Sequence, residues 1–123
     1  MHKPLKTITI KLDEYIKDLK IRYEQNEAPV DKKDKPFFLM MKEETAPIYQ
    51  LLEEWEKLAL QVIKHKKINI HPQQIISTKE NIELIILHSY YIDVKRKRYM
   101  NLYKSCQYVM NQLLRALKEG NLI

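Results

Sequence analysis

The stretch YMNLYKSCQYVMNQLLRAL, residues 99–117, decides the fold. Tyr99, Leu102, Tyr103, Cys106, Val109, Met110, Leu113, Leu114 and Leu117 recur at spacings of three and four, which places them on one face of an α-helix for about five turns. Gly120 stands where a left-handed C-terminal cap belongs. A stripe of this length is not stable in water alone, so the rest of the chain must supply elements that cover it.

The preceding segments have the same character. HPQQ, residues 71–74, offers Pro72 at a first-turn position, whereas STKE, residues 77–80, puts Ser77 and Glu80 in capping-box register, so the start of this helix is open by about five residues. Beyond either start, Ile75, Ile82, Ile85, Ile86 and Ser89 share a face that Leu84, Leu87 and Tyr91 widen, which predicts a helix buried on more than one side. Further upstream, Pro36 can open a helix through PFFLMMKEE, and the stripe resumes at Ile48, Leu51, Leu52, Trp55, Leu58, Ala59, Val62 and Ile63. Pro47 removes a backbone donor and predicts a kink or a brief break, with Thr45 as the cap of a restarted helix. The first helix carries Leu5, Ile8, Leu12, Tyr15, Ile16, Leu19 and Tyr23, and is expected to end near Asn26, before Ala28-Pro29 and the charged connector VDKKDK.

Composition agrees. A chain of 123 residues is one ordinary domain, and one Gly with five Pro leaves little material for hairpins. An apolar fraction of 45% beside 31% charged residues suits a globular protein, no apolar run approaches the roughly 18 to 20 residues of a membrane span, and Lys11 and Asp13 interrupt any signal-peptide core. Cys106, the single cysteine, excludes an internal disulfide and fits a reducing compartment; a cytoplasmic protein with no membrane association is expected. Four amphipathic helices with short connections predict an all-α, antiparallel four-helix bundle in a single domain, 1–123, with its second helix kinked or broken near Pro47.

The motifs HPQQI, TKEN, LHSYY and KRKRY, with Trp55 upstream and the ending YVMNQLL, resemble in order and spacing the YppE-like family of small proteins of unknown function from low-GC Gram-positive bacteria. The resemblance spans nearly the whole chain and implies a helical bundle. It brings no substrate, cofactor or catalytic residue with it.

Reaction chemistry finds no footing in the residues themselves. Di-metal bundles use inward Glu residues and a Glu-x-x-His pair; here His88 follows Glu83 by five positions, on a different face, and His65 lies among lysines. One glycine cannot build a phosphate-cradling loop. Cys106 sits in the apolar stripe and reads as a buried hydrophobe rather than a reactive thiol. No Arg is followed within about seven residues by His, the pattern common in helical ribonuclease toxins. The carboxylates Glu53, Glu54 and Glu56 around Trp55 read as a solvated face, with Glu53 and Lys57 in pairing register and the tryptophan in the core, its indole N–H reaching a polar rim. No catalytic residue, metal ligand or cofactor is therefore predicted.

Two features read first as structure, a packed apolar segment and a solvated or internally paired seam between helices, and second as interaction surfaces. Phe37, Phe38, Met40 and Met41 cannot all face the core from one regular helix, so some pack under a loop or, as a candidate apolar contact, are exposed at a binding surface. Residues 94–119 hold seven cations against Glu119 alone, so the whole net charge of +6 falls on the last helix and crowds its start at Lys95, Arg96, Lys97 and Arg98, with Lys104 beyond. With Asp93 as N-cap, these cations oppose the helix dipole, and the expected compensation is pairing with Glu53, Glu54, Glu56, Glu80 or Glu83 across the bundle, or an external anion. Four successive helical residues sweep about 300°, which argues against one continuous basic groove. The expected function is a non-enzymatic module that binds an unidentified protein, acting as a monomer or weak homodimer. The alternative is weak nucleic-acid binding through the basic start of the last helix.

Overall fold

The computed structural model describes residues 2–66 and 68–119, and these form four α-helices with no strand among them. They are α1 (His2–Gln25), α2 (Lys35–Lys66), α3 (Pro72–Tyr90) and α4 (Arg96–Glu119). Gly120, expected as a cap, lies outside the described residues.

Local chemistry sets the helix ends. α1 stops because Asn26 takes a left-handed φ of 56°, a conformation asparagine tolerates, and donates its N–H to the Tyr23 carbonyl. α2 is capped by Asp34, whose carboxylate accepts the Phe37 N–H at 3.0 Å; this leaves Pro36 in the first turn, where its missing donor costs nothing. α3 starts at HPQQ rather than STKE. His71 Nδ1 accepts the Gln73 N–H at 3.1 Å, and the Gln74 side chain accepts the His71 N–H at 2.9 Å, a reciprocal capping box that leaves Ser77 inside the helix.

Three local expectations are corrected. Of the kink or break expected at Pro47 the break does not occur, since α2 runs on through it, and Thr45 caps nothing: its hydroxyl donates to the Met41 carbonyl at 2.8 Å within the continuous helix. The proline withholds a donor only from the Glu43 carbonyl, on an exposed residue where water can replace it. Nor is Asp93 the cap of α4. That helix begins three residues later, with the Tyr99 N–H bonded to the Lys95 carbonyl at 3.1 Å, and the Asp93 carboxylate bonds His88 instead.

Cross-helix contacts give the topology. Thr9 meets Trp55 and Arg22 meets Glu44, so α1 and α2 run in opposite directions. Glu44 with Tyr90 and Glu56 with Lys79 do the same for α2 and α3, as do Ser89 with Tyr99 and Gln74 with Gln112 for α3 and α4. Glu24 with Arg96 and Asp13 with Gln107 close the ring between α4 and α1. The result is the antiparallel bundle that the stripes predict. α1 and α3 also touch across the diagonal, whereas the backbones of α2 and α4 do not approach one another closely among the described residues.

The core is the sum of the stripes. Leu5, Leu12 and Ile16 of α1, Leu52 and Trp55 of α2, Ile75, Ile82, Ile85 and Ile86 of α3, and Tyr99, Met110 and Leu113 of α4 are fully buried. α3, packed against all three other helices, buries residues on more than one side, although Leu87 turns outward at 42% exposure. Trp55 departs from its expected polar rim: its indole N–H ends on the buried Thr9 hydroxyl at 3.0 Å.

Candidate interaction face

Both candidate surfaces come together at one end of the bundle. The 26–34 connector, the first turns of α2, the end of α3 and the 91–95 connector pack there around the start of α4. Lys32 lies 3.7 Å from Asp93, which joins the two connectors. Phe37 sets its ring edge against Tyr90 and Tyr91, at centroid distances of 6.3 and 5.3 Å. Tyr23 stacks on Tyr99 at 3.9 Å and sends its hydroxyl to the Val94 carbonyl at 2.8 Å, pinning the 91–95 connector to α1. Tyr99 in turn shares a 2.6 Å hydrogen bond with Ser89, and burial pushes its phenol up to about 12.

The FFLMM segment divides. Met41 enters the core, Phe37 wedges against the tyrosines and Met40 is half-buried, but Phe38 and Leu39 stay 50% and 53% exposed. Of the four apolar contact candidates, Phe38 is thus the one offered to solvent, and Leu39, which was not among them, joins it.

The cations divide as well. Arg96 reaches Glu24 of α1 at 2.8 Å, a partner 72 residues away in sequence. None of Glu53, Glu54, Glu56, Glu80 or Glu83 neutralises the cluster, which corrects the expected pairing; Glu56 bonds Lys79 at 3.4 Å, and the Glu53–Lys57 pair does not form. Lys95, Lys97, Arg98 and Lys104 have no ion pair among the described residues. Lys95, Lys97 and Arg98 line a shallow concavity of about 380 Å³ with Asn101, Leu102 and Ser105, while Lys104 lies off it. At Ser105 this hollow meets a second one of about 460 Å³ in the furrow between α3 and α4, walled by Gln73, Ser77 and Asn81 with Val109.

A further cluster had no counterpart in the sequence pattern. Arg22 lays its guanidinium 4.0 Å from the Tyr90 ring centre, and the Tyr90 hydroxyl donates to Glu44 at 2.7 Å. Burial first, and the Glu44 bond second, push that phenol up to about 12. Residues 22, 44 and 90 lie on three helices, so no local spacing announces the group. It clamps α1, α2 and α3 together beside a concavity of about 260 Å³ that also holds Asp18. With two carboxylates and one guanidinium on its wall, that hollow presents no single charge to a ligand.

The remaining candidates are structural. Cys106 is fully buried, its thiol 3.9 Å from the Thr78 carbonyl and pushed up to about 12 by burial, so no thiolate forms at neutral pH. His88 Nδ1 bonds Asp93 at 2.9 Å, the hydrogen-bonded histidine at a core edge that its position suggests. Among the described residues no three His, Cys, Asp or Glu side chains gather as metal ligands, and no helix is long and apolar enough to cross a membrane.

Solved structures share this architecture. The crystal structure of protein YppE from Bacillus subtilis aligns over 100% of this chain and 99% of its own, with a TM-score of 0.84 at 20% identity. Its solution structure gives 0.79 at the same identity, over 97% and 96%. A protein of unknown function from Listeria innocua gives 0.75 at 16% identity, covering 98% and 96%. At these identities the likeness carries the fold alone. No curated protein matches the chain. Residues 9–117 match a bacterial domain of unknown function, DUF1798, in agreement with the YppE-like motifs, and the chain belongs to that family.

Proposed function

We propose that this protein is a non-enzymatic, cytosolic binding module, a monomer or weak homodimer in its free form, which engages another protein through the end of the bundle that carries the start of α4. The observation that carries this reading is the state of Lys95, Lys97 and Arg98. They hold much of the chain's net charge, have no acidic partner within the fold, and line one hollow at the same bundle end as the exposed Phe38 and Leu39. Unneutralised cations at a helix start oppose the dipole and are tolerated at a small cost that an acidic partner reverses. Phe38 and Leu39, on the α2 side of the same bundle end, add the desolvated contacts that charge alone does not supply.

Nucleic acid is the less favoured partner. Single-strand binders stack bases on aromatic rings beside their cations, and no aromatic side chain lines the hollow of Lys95, Lys97 and Arg98: Tyr99 and Tyr103 are buried, and the exposed Tyr108 and Phe38 lie off it. The test compares proteins retained from the native cell by the wild type, by Phe38→Asp and by a Lys95→Glu/Lys97→Glu double variant. A partner held by the first and lost by both others supports the reading. Equal retention by all three refutes it, and oligonucleotide binding that falls steeply with salt and vanishes in the double variant transfers the site to nucleic acid.

A further inference from the structure

We infer that the furrow running from the start of α4 into the α3–α4 seam is a groove for an extended peptide with acidic side chains clustered at one end. This rests on the reading of the protein as a binding module and names the chemistry of its partner.

Charge is distributed along this furrow in one direction. Lys95, Lys97 and Arg98 stand at one end, and no carboxylate lines either hollow. Beyond Asn101 no lysine, arginine or carboxylate lines the walls, which are formed by amides, hydroxyls and, at the far end, the His71 imidazole over an apolar floor at Leu102 and Val109. A nucleic-acid strand repeats its charge at every phosphate and would need cations along the whole path. A segment charged only at one end matches cations at one end.

The spacing of the polar groups also fits. Gln73, Ser77 and Asn81 recur every fourth residue on α3, as do Lys97, Asn101 and Ser105 on α4. Four helical residues rise about 6 Å, and an extended chain repeats its backbone polar groups on one side about every 6.6 Å, so three successive wall residues stay near register with a peptide. From Lys97 to Val109 the furrow is roughly 18 Å long, enough for five or six extended residues. The side chains of Asn81, Asn101 and Ser105 make no hydrogen bond within the described fold and are available to peptide N–H and C=O groups.

A random octapeptide library panned on the intact protein tests the inference, with binding of the enriched peptides read by fluorescence anisotropy. Enriched peptides are expected to carry two or more Asp or Glu at one end, and to bind about tenfold more weakly to Asn101→Leu and to Lys95→Gln/Lys97→Gln. Both variants alter exposed side chains, and unchanged thermal unfolding confirms that they fold. Failure to enrich any peptide, enrichment of peptides without the acidic end, or undiminished binding to Asn101→Leu overturns the groove. Oligothymidylate binding tighter than every selected peptide overturns the choice of occupant. A partner protein lost to Phe38→Asp but still held by Asn101→Leu overturns the groove while leaving the binding-module reading in place.

Discussion

Trp55 donates its indole N–H to the Thr9 hydroxyl at 3.0 Å, and Thr9 passes its own proton to the Leu5 carbonyl at 2.7 Å. Trp55 and Thr9 are both fully buried, so the relay from α2 into the α1 backbone runs where water cannot substitute for a lost partner. Thr9→Val keeps the shape and strands the indole N–H, and is expected to cost about 1 to 3 kcal/mol. In a Trp55→Phe background the same change should cost clearly less. Denaturant unfolding of the four proteins in this cycle measures the difference, and equal costs in both backgrounds would show that the hydrogen bond contributes nothing.

Lys95 and Lys97 are exposed and unpaired, so Lys95→Gln/Lys97→Gln should leave the fold intact and shift stability by less than about 1 kcal/mol, upward if relief of the dipole conflict dominates. Arg96→Gln, which breaks the exposed pair with Glu24, should also stay within about 1 kcal/mol. Destabilisation well beyond that in the lysine variant would mean that these cations hold the bundle together.

Alkaline pH should weaken the fold earlier than an ordinary tyrosine content implies. Tyr90 and Tyr99 ionise near their ordinary value of 10.0 when unfolded and only at about 12 when folded. Between those values the unfolded chain binds fewer protons than the native one, so stability is complete below about 10 and falls as pH rises toward 12. Cys106, with an ordinary value of 9.0 and a buried one of about 12, starts the decline sooner. Thermal unfolding followed across this range should show the fall, and Tyr99→Phe should flatten part of it.

Native Cys106 should react with a thiol reagent at the rate set by opening of the bundle, and denaturant should accelerate labelling sharply. Fast labelling of the folded protein would contradict the buried position of the thiol.

The helical stripes were legible because burial of one face leaves a period of three and four in the sequence. Tyr99 to Leu117 shows this most plainly, since every buried residue in it is a member of the predicted set. Asp34 was legible in principle, as a carboxylate placed two residues before a first-turn proline, but the charge of the surrounding VDKKDK masked it. Thr9 and Glu24 were not. A polar residue inside an apolar stripe reads as an interruption until its partner from another helix is known, and the distance from Glu24 to Arg96 exists only after folding. The candidate face was visible as two unexplained segments, FFLMM and KRKR, and their meeting at one end follows from the antiparallel threading, which no local pattern encodes.

The backbones of α2 and α4 do not approach one another closely among the described residues, so α1 with α3 forms a spine between two flanks. Amide hydrogen exchange should then be slowest in α1 and α3, with α2 and α4 opening as separate units. A partner seated on the start of α4 and on Phe38 and Leu39 at the start of α2 would bridge the two flanks and slow exchange in the first turns of both.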